Sequence, residues 1–370
     1  MEHIKLVYII SDIDKALAFE WIALGLKKKF DLSFIIIGKR KTVLSGFLEH
    51  ESIRCYEITD HQYPSWVAKW FVTYRLISAL KPDIIHTHLW RANLLGLTTS
   101  WLLRVGKRVI TRHHSMIHYN EYKKGRKWDR LCNWLATDIV AISKNVQQIL
   151  IQLDKVNKQK IHLIHHGFDL EYFKFIEGGR IFRIKDQYKI GSKFPVVGII
   201  SRYLELKGIQ YIIPAFKKTL ETFPSAHLVL ANAGGAYQKS IQNLLLDLPS
   251  TCYTEITFEE NLAALYQVFN VFVHVPIDPR QEAFGQTYVE SLASGVPSIF
   301  TLSGVAPEFI VHEENALVVP FCDSESICLS IIRILKDEDL RNRLIKNGKK
   351  SAQLFPVSKM LDNLIKLYAS

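Results

Sequence analysis

Short runs of β-branched and other apolar residues alternate along the chain with longer stretches in which apolar positions recur every three or four residues. Runs of the first kind indicate buried strands, and stretches of the second kind indicate amphipathic helices. In the first half the apolar runs are "IKLVYII", "LSFIIIG", "IRCYEI", "DIIHTH", "RVITR" and "DIVAIS". Because strands that alternate with helices form βα units, this half is predicted to be a parallel sheet covered by helices.

The alternation breaks near residue 165 and resumes at "PVVGIIS". The intervening stretch, "IHHGFDLEYFKFIEGGRIFR", has two close glycines and no clean period, which is typical of a connection. The strand pattern then returns in "AHLVLAN", "VFNVFVHVP", "PSIFT" and "ALVVP", and the last twenty residues look helical.

These patterns predict an α/β protein built from two Rossmann-like doubly wound domains that face a central cleft. The first domain is assigned to residues 1–170, a linker to 171–194 and the second domain to 195–350. Residues 351–370 are assigned to a C-terminal helix that we expect to pack back toward the first domain. Since open α/β sheets bind ligands beyond the carboxyl ends of their strands, functional residues are expected in the loops that follow strands.

Length and composition argue against several classes of protein. A length of 370 residues exceeds what one core usually organises, and 48% hydrophobic with 22% charged residues is ordinary for a globular protein. Five cysteines without a C-x-x-C pair argue against a disulfide framework or a zinc site. No apolar run suits a signal peptide or a membrane span, so we expect a cytoplasmic protein, peripheral at most at the inner face of the plasma membrane.

The net charge of +11 is confined to one half of the chain. Residues 1–170 hold 26 Lys and Arg against 15 Asp and Glu, whereas residues 171–370 hold 21 of each. Such asymmetry suggests that the first half faces something anionic, or alternatively that it carries a solvated basic face.

Two glutamates, Glu282 and Glu290, lie eight positions apart in "RQEAFGQTYVESLASGVP". Glu282 follows a buried-strand pattern and falls in a loop, and Glu290 falls in a helix that is predicted to begin near Gln286. Gly285 lets the backbone approach a ligand, and the unpaired N–H groups of the first helical turn suit a phosphate. A carboxylate that binds vicinal hydroxyls, combined with a phosphate site, indicates a sugar nucleotide. Two surface acids at a chance spacing are the alternative.

Cations that such a ligand requires lie one βα unit earlier, in "VVGIISRYLELKGIQYIIPAF". Arg202 comes just after a strand, and Lys207 stands with Gly208 at the start of a helix predicted to continue to about Thr222. Two cations beside free helix N–H groups would neutralise a diphosphate and stabilise it as a leaving group. An ordinary solvent-facing Arg and Lys is the alternative.

At this point the chain resembles the retaining glycosyltransferases of family 4, the glycosyl transferases group 1, which have the GT-B fold. The resemblance spans nearly the whole sequence and rests on an ordered set of individually weak motifs. These are "KPDIIHTHLWRANLLG", "RVITRHHS", "DIVAISKNV", "KIHLIHHGFDLEYF", "ISRYLELKG", "EAFGQTYVESLASGVP" and "APEFIVHEENALVVP".

The resemblance implies a role for each matching residue. Arg202 and Lys207 would hold the donor diphosphate, Glu290 the ribose hydroxyls, and Glu282 the transferred sugar. His113, in "VITRHHS", matches the family histidine that points at the reacting sugar. The remaining donor-binding positions are Phe284, Gly285, Gln286 and Thr287. The family further implies retention of anomeric configuration, a nucleotide-diphosphate sugar as co-substrate, and no required metal or other cofactor.

Two loops depart from the family pattern. The family usually carries a glycine pair after its first strand, but here that loop reads "SDIDKALAFEW", and "LSGVAPE" keeps only one of two usual glycines before Glu308. Either the closure of the protein around the donor is therefore altered, or residues of the first loop contribute to donor binding in a different way. The residues assigned to the acceptor side are Asp12, Lys15, His88 and His114.

Two short patterns resemble metal-binding motifs but do not form complete ligand sets. Asp12 and Asp14 form a D-x-D pair like that of metal-dependent glycosyltransferases, but a tripeptide recurs by chance and here follows the first strand of the other architecture. His86 and His88 lack an evident third ligand. No G-x-G-x-x-G follows a strand, which argues against a nicotinamide dehydrogenase.

The basic excess coincides with aromatic residues in "YPSWVAKWFVTYRLISAL" and "YNEYKKGRKWDRLCNW". We therefore expect a nucleotide-sugar donor, a saccharide or lipid-linked acceptor, an anionic membrane surface as a partner of the first domain, and no nucleic acid. Core aromatics with a solvated basic loop are the alternative for the membrane surface. A nucleotide-sugar epimerase of the same fold and a non-catalytic sugar-nucleotide-binding protein are the alternatives for the function.

Overall fold

The computed structural model describes residues 4–174, 176–191 and 193–370. Contacts divide the chain into two compact units: Met1–Phe168 together with Val357–Ser370, and Asp169–Pro356. Within the described ranges, no helix has both the length and the hydropathy that crossing a bilayer requires.

The first unit is a parallel sheet with helices between its strands. Its strands are β1 (Lys5–Ser11), β2 (Asp31–Gly38), β3 (Arg54–Thr59), β4 (Ile84–His88), β5 (Lys107–Arg112), β6 (Asp138–Ala141) and β7 (Ile161–Leu163). Its helices up to residue 152 are α1 (Leu17–Leu26), α2 (Val43–His50), α3 (Trp66–Leu80), α4 (Trp90–Leu102), α5 (Ile117–Asn120), α6 (Gly125–Leu135) and α7 (Lys144–Gln152). The strand order β3-β2-β1-β4-β5-β6-β7 reverses beside β1, so the carboxyl ends of β1 and β4 flank a switch point.

The second unit repeats this plan. Its strands are β8 (Val196–Ile200), β9 (His227–Ala231), β10 (Tyr253–Ile256), β11 (Val271–His274), β12 (Ser298–Phe300) and β13 (Leu317–Val318). Its helices are α8 (Leu170–Lys174), α9 (Gly178–Gln187), α10 (Ile209–Thr222), α11 (Gln238–Leu245), α12 (Leu262–Tyr266), α13 (Gln286–Ala293), α14 (Ser324–Lys336) and α15 (Glu338–Ala352). The parallel order β10-β9-β8-β11-β12-β13 places its switch point between β8 and β11.

Apolar runs form both sheets because strands covered on two faces bury every side chain. In β1 the residues from Leu6 to Ile10 are all buried, and so are the five residues of β8. The two parallel sheets confirm the predicted α/β class with two Rossmann-like domains. The sequence patterns did not indicate β7 and β10, since β7 has three residues and β10 is a half-exposed edge strand.

The segment predicted as a linker, 171–194, contributes helices to the second unit. Phe173 of α8 is buried and packs edge to face with Tyr266, 6.4 Å between ring centroids, and Ile184 of α9 is buried as well. Residues 175 and 192 of this segment lie outside the described residues.

The C-terminal stretch 351–370 is divided between the units. α15 ends at Ala352 in the second unit, and α16 (Val357–Ala369) belongs to the first. α16 packs against α1, where a Cβ on Gly25 would lie 2.3 Å from a methyl group of Leu361. The hydroxyl of Tyr368 bonds to His86 Nδ1 at 2.6 Å, which ties the last turn of α16 to β4.

Candidate active site

The carboxyl ends of β8 and β11 hold most of the predicted site residues. After β8 the chain passes Arg202 and a 3₁₀ turn, Glu205–Lys207, before α10 begins. Gly208 joins the turn to the helix with φ of 74°, and a Cβ there would lie 1.9 Å from the carbonyl oxygen of Val275. Glycine therefore lets the start of α10 lie directly against the chain that leaves β11. The predicted helix start beside Lys207 and its end at Thr222 are confirmed.

A second helix starts beside the same strand. α13 begins at Gln286, as predicted, after Gly285 with φ of 86°. The N–H groups of such a first turn have no intrahelical acceptor. The Thr287 hydroxyl oxygen in this turn is buried and has no hydrogen-bond partner among the described residues. A buried polar atom of this kind is costly unless a ligand or water satisfies it, so the start of α13 suits a polar ligand.

Glu282 is the centre of a buried charge cluster. Lys207 Nζ donates to Glu282 Oε1, and His274 Nε2 lies 3.2 Å from the same oxygen. The exposed side-chain fractions are 8% for Glu282, 19% for Lys207 and 3% for His274. The structure thus joins two residues predicted from separate motifs, 75 positions apart, and adds a third.

The protonation states in this cluster follow from its charges. Burial by itself raises the pKa of Glu282, but Lys207 and His274 outweigh burial and hold that pKa well below its ordinary value. Burial lowers the pKa of His274. The attraction of Glu282 offsets this effect only in part, and the charge of Lys207 lowers the pKa further. At neutral pH Glu282 is therefore ionised, and the His274 imidazole is neutral.

The loop that carries Glu282 is fixed from its own unit. The Glu282 amide donates to Ser303 Oγ at 3.1 Å, and the Ser303 hydroxyl donates to the carbonyl of Asp278 at 2.7 Å. Gly304 has φ of 62°, and a Cβ there would lie 2.6 Å from the Glu282 Cβ. The single glycine kept in "LSGVAPE" therefore lets this loop pack against the candidate site.

Glu290 lies in α13 in a different environment. Its carboxylate accepts a hydrogen bond from the hydroxyl of Tyr266 at 2.9 Å, and both side chains are buried. Burial raises the pKa of Glu290 to about 7, although the Tyr266 hydrogen bond lowers it in part. The pKa of Glu282 is therefore lowered by its surroundings, whereas that of Glu290 is raised.

Three other predicted donor-side residues differ in exposure. Arg202 is exposed, and its side chain makes no ion pair in the part of the chain that the structure describes. Phe284 is buried and packs edge to face with Phe355, 5.8 Å between ring centroids, while its carbonyl accepts from the Val305 amide at 3.0 Å. Gln286 is exposed at the helix start.

In the first unit, His88 and His113 are brought together. His88 is the last residue of β4 and His113 follows β5, and His88 Nδ1 lies 2.9 Å from His113 Nε2. Burial is the main cause that lowers the pKa of each ring well below its ordinary value, and neighbouring histidines lower it further. Both rings are therefore neutral at physiological pH, and one hydrogen is shared between the facing nitrogens.

His114 turns to a separate network. Its Nε2 lies 3.0 Å from Asp129 Oδ2, and His118 Nδ1 lies 2.6 Å from the same oxygen. These three groups are close enough to hold a metal ion. Arg112, however, places Nη1 2.7 Å from Asp129 Oδ1 and 2.9 Å from His114 Nε2, so a guanidinium already neutralises the carboxylate. Arg112 also pairs with the buried Asp154. A salt-bridged network explains the arrangement without a metal ion.

The first loop of this unit forms ion pairs. Asp12 accepts from Arg91 at 3.0 Å, and Asp14 accepts from Arg40 at 3.1 Å and from the Val43 amide at 3.2 Å. Burial raises the pKa of Glu20, and the charge of the half-buried Lys15 offsets this only in part. The two D-x-D carboxylates thus bind separate arginines.

Two residues of the second unit escaped the sequence patterns. His274 lies within the predicted strand "VFNVFVHVP" and ends β11, and a polar residue near the carboxyl end of a buried strand was the available signal. Tyr266 gave no signal, because it lies 24 positions before Glu290 in an ordinary apolar helix.

Comparison with known proteins agrees with this geometry. The model of the Glycosyl transferases group 1 family matches residues 181–351, and that of Glycosyltransferase Family 4 matches residues 42–172. The mannosylfructose-phosphate synthase of Agrobacterium fabrum is 25% identical over 333 residues, which cover 87% of this chain and 70% of that protein. The capsular polysaccharide biosynthesis glycosyltransferase CapM of Staphylococcus aureus is 24% identical, with 74% and 72% covered.

A solved structure shares the fold over the full length. HepE of Anabaena, crystallised in complex with UDP and glucose, superimposes with a TM-score of 0.85 at 18% identity and covers 99% of both chains. Together the two family models match most of the chain, one in each half. This chain therefore belongs to the group 1, family 4 glycosyltransferases, which have the GT-B fold.

Proposed function

We propose that this protein is a retaining glycosyltransferase that moves a hexosyl or N-acetylhexosaminyl group from a nucleotide-diphosphate sugar to a saccharide or lipid-linked acceptor. The observation that carries the proposal is the buried pair of Lys207 and Glu282, set between the starts of α10 and α13 at the carboxyl ends of β8 and β11. HepE, which has this fold, was crystallised with UDP and glucose.

On the donor side, the diphosphate would lie beside Lys207 and the first turns of α10 and α13, where cation and N–H groups favour an anion. Exposed Arg202 would supply the second cation. Glu290 would accept hydrogen bonds from the ribose hydroxyls, and Glu282 from hydroxyls of the transferred sugar. The unsatisfied Thr287 hydroxyl supports a polar ligand at this place.

The chemistry proposed is departure of the nucleoside diphosphate with electrostatic assistance. Cations and helix N–H groups that meet the charge developing on the leaving oxygen lower the barrier more than they stabilise the bound donor. The leaving phosphate would take the proton of the acceptor hydroxyl, so no protein nucleophile is assigned. This scheme requires no metal ion and no other cofactor.

The first unit would supply the acceptor side. His113 is neutral and is fixed by His88, so it would act as a hydrogen-bonding group toward the reacting sugar rather than as a cation. Asp12, Lys15 and His114 stay proposed acceptor-side residues.

Exposed aromatics and cations on the first unit support a membrane-associated acceptor in surface polysaccharide or glycolipid assembly. Trp66 and Trp90 are exposed at the starts of α3 and α4, and their rings pack edge to face at 5.4 Å. Exposed Lys123, Lys124 and Lys127 lie around the start of α6. Since parallel strands and their helices alternate direction, all three helix starts lie at the carboxyl edge of the sheet. Aromatic rings and cations together suit an anionic interface.

Vesicle sedimentation tests this surface. At low salt we expect binding to vesicles with anionic lipid and little binding to neutral ones, with a loss of binding when Lys123, Lys124 and Lys127 become glutamine. Absence of binding to anionic vesicles at low salt would contradict the membrane proposal and leave the donor proposal intact.

Turnover of a panel of UDP-, GDP- and dTDP-sugars, with and without saccharide and lipid acceptors, tests the proposed reaction. A glycosyltransferase releases nucleoside diphosphate in an acceptor-dependent manner. Conversion of the donor without any acceptor would instead identify an epimerase, and binding without conversion would identify a non-catalytic protein. Full turnover by Glu282→Ala would refute the site assignment.

A further inference from the structure

His274 is the member of the charge cluster to which the proposed reaction gives no role. It ends β11, its side chain is 3% exposed, and its ring packs edge to face on Tyr288 with centroids 4.7 Å apart. The Tyr288 hydroxyl donates to the Thr301 carbonyl at 2.9 Å, which fixes the ring against which His274 rests. The Tyr288 ring therefore supports the imidazole from one side, with Nε2 close to Glu282 Oε1.

His274 and Lys207 compete for the same atom. His274 Nε2 lies 3.2 Å from Glu282 Oε1, but it makes no aligned hydrogen bond to any described residue. Lys207 Nζ donates to that same oxygen. Because an ionised carboxylate can only accept, Nε2 is assigned the hydrogen of the neutral ring, and this buried N–H lies near an acceptor without an aligned hydrogen bond, a state that costs free energy.

A donor diphosphate would change this balance. It brings negative charge to the end of Lys207, and an ammonium that turns toward a phosphate no longer neutralises the Glu282 carboxylate. The groups that face His274 are Glu282 from the following loop, Lys207 from the 3₁₀ turn and the uncharged phenol of Tyr288 from α13. Of these, Lys207 opposes a positive charge on His274 and Glu282 favours it. Partial neutralisation of Lys207 therefore favours the imidazolium.

We propose that His274 is a positioning residue that takes up a proton when the donor binds and holds Glu282 in place as Lys207 turns to the diphosphate. The inference rests on the proposed donor site. The proton comes from solvent and adds to Nδ1, and Nε2–H then aligns with Glu282 Oε1 as Lys207 leaves that oxygen. The carboxylate then exchanges an ammonium partner for an imidazolium partner and stays ionised for the sugar hydroxyls.

Calorimetric titration of the full chain with UDP-glucose and GDP-mannose tests the inference. The titration is repeated at one pH in buffers of different ionisation enthalpy, so that the slope counts the protons exchanged per donor bound. The phosphates of both donors stay ionised near neutral pH, so they contribute no protons. We expect wild type to take up more protons than His274→Gln, by up to one per donor, between pH 6.5 and 8. Any proton exchange by Glu290 is common to both proteins and cancels in the difference.

His227→Gln is the matched control. His227 is a second buried histidine of the same unit, and its Nε2 bonds to Thr254 Oγ1 at 2.8 Å at the start of β9, away from the cluster. This variant should bind donor with the wild-type proton count. In turnover, His274→Gln should lower kcat more than it raises KM, because Glu282 is still present but less well held.

Equal proton counts for wild type and His274→Gln, with donor bound to both, would overturn the inference and leave the donor site standing. If His274→Gln does not fold, the proton count of wild type at pH 8 decides alone. Glu290 is largely ionised at that pH and exchanges few protons, so the absence of proton uptake on donor binding would overturn the inference. Failure of wild type to bind either donor or any other nucleotide sugar would instead overturn the donor site, and the inference with it.

Discussion

Glu290 gives the most quantitative prediction, since its pKa of about 7 places its ionisation inside the accessible pH range. If the ionised carboxylate accepts hydrogen bonds from the ribose hydroxyls, donor binding must first remove a proton wherever Glu290 is protonated. The dissociation constant then scales as 1 + 10^(7 − pH), which weakens binding about tenfold between pH 8 and pH 6, or about 1.4 kcal/mol.

The assay is the Kd of a nucleotide sugar from pH 6 to pH 8 for wild type and for Glu290→Gln. The proposed uptake of a proton by His274 has the opposite sign, but it is common to both proteins, so the ratio of their Kd values isolates Glu290. We expect the Kd of Glu290→Gln divided by the Kd of wild type to fall about tenfold from pH 8 to pH 6.

Tyr266→Phe supplies a matched second variant. The Tyr266 hydroxyl donates to Glu290 at 2.9 Å and lowers its pKa, so removal of that hydroxyl raises the pKa above about 7 without changing the shape of the ring. The midpoint of the pH dependence should move to higher pH. A ratio that is constant from pH 6 to pH 8 would refute the role given to Glu290.

Three further predictions concern stability and turnover. Lys207→Met removes the ammonium from the buried Glu282 carboxylate and, at pH 8, where His274 is least able to take up a proton in its place, should cost about 3–5 kcal/mol of the free energy of unfolding of the second unit. Lys207→Met with Glu282→Gln should cost less, and equal losses in denaturant titrations would contradict the pairing. Burial lowers the pKa of His86 from 6.5 to about 3. The contribution of the neutral His86 ring to the free energy of unfolding of the first unit is therefore complete above pH 6.5 and is lost as the pH falls toward 3. At pH 5 the first unit should have lost about 2 kcal/mol through His86, and His86→Asn should show a shallower loss in urea titrations at pH 7 and pH 5. His88→Phe should lower kcat with little change in donor KM, because the His113 ring loses the hydrogen bond that fixes it; an unchanged kcat would contradict the positioning of His113 by His88.

Much of the fold follows from local patterns. Strands buried on both faces give uninterrupted apolar runs, and α10 and α13 begin beside glycines at Gly208 and Gly285, where the backbone has positive φ. Those signals are local in the sequence, so they predicted the elements and their starts. β7 and β10 were missed because three residues, or a half-exposed edge, carry too little apolar pattern.

The site, too, has features that could be predicted from the sequence and features that could not. Lys207 and Glu282 could be predicted individually, because each follows a strand, but their pairing joins positions 75 residues apart and depends on the strand order β8-β11. The raised pKa of Glu290 could not be predicted, since burial and Tyr266 set it. His114 was assigned beside His113, yet adjacent residues after a strand point to different faces, and Arg112 and Asp129 hold His114 in a separate network.

The most direct test of the donor site is a crystal structure of the full chain with a bound nucleotide sugar. We predict the diphosphate within hydrogen-bond distance of Lys207 Nζ and of the first-turn N–H groups of α10 or α13, with the ribose hydroxyls on Glu290. Glu282 should have released Lys207 and should bond to His274 Nε2. A nucleotide bound elsewhere, with the pair of Lys207 and Glu282 unchanged, would contradict the proposed site.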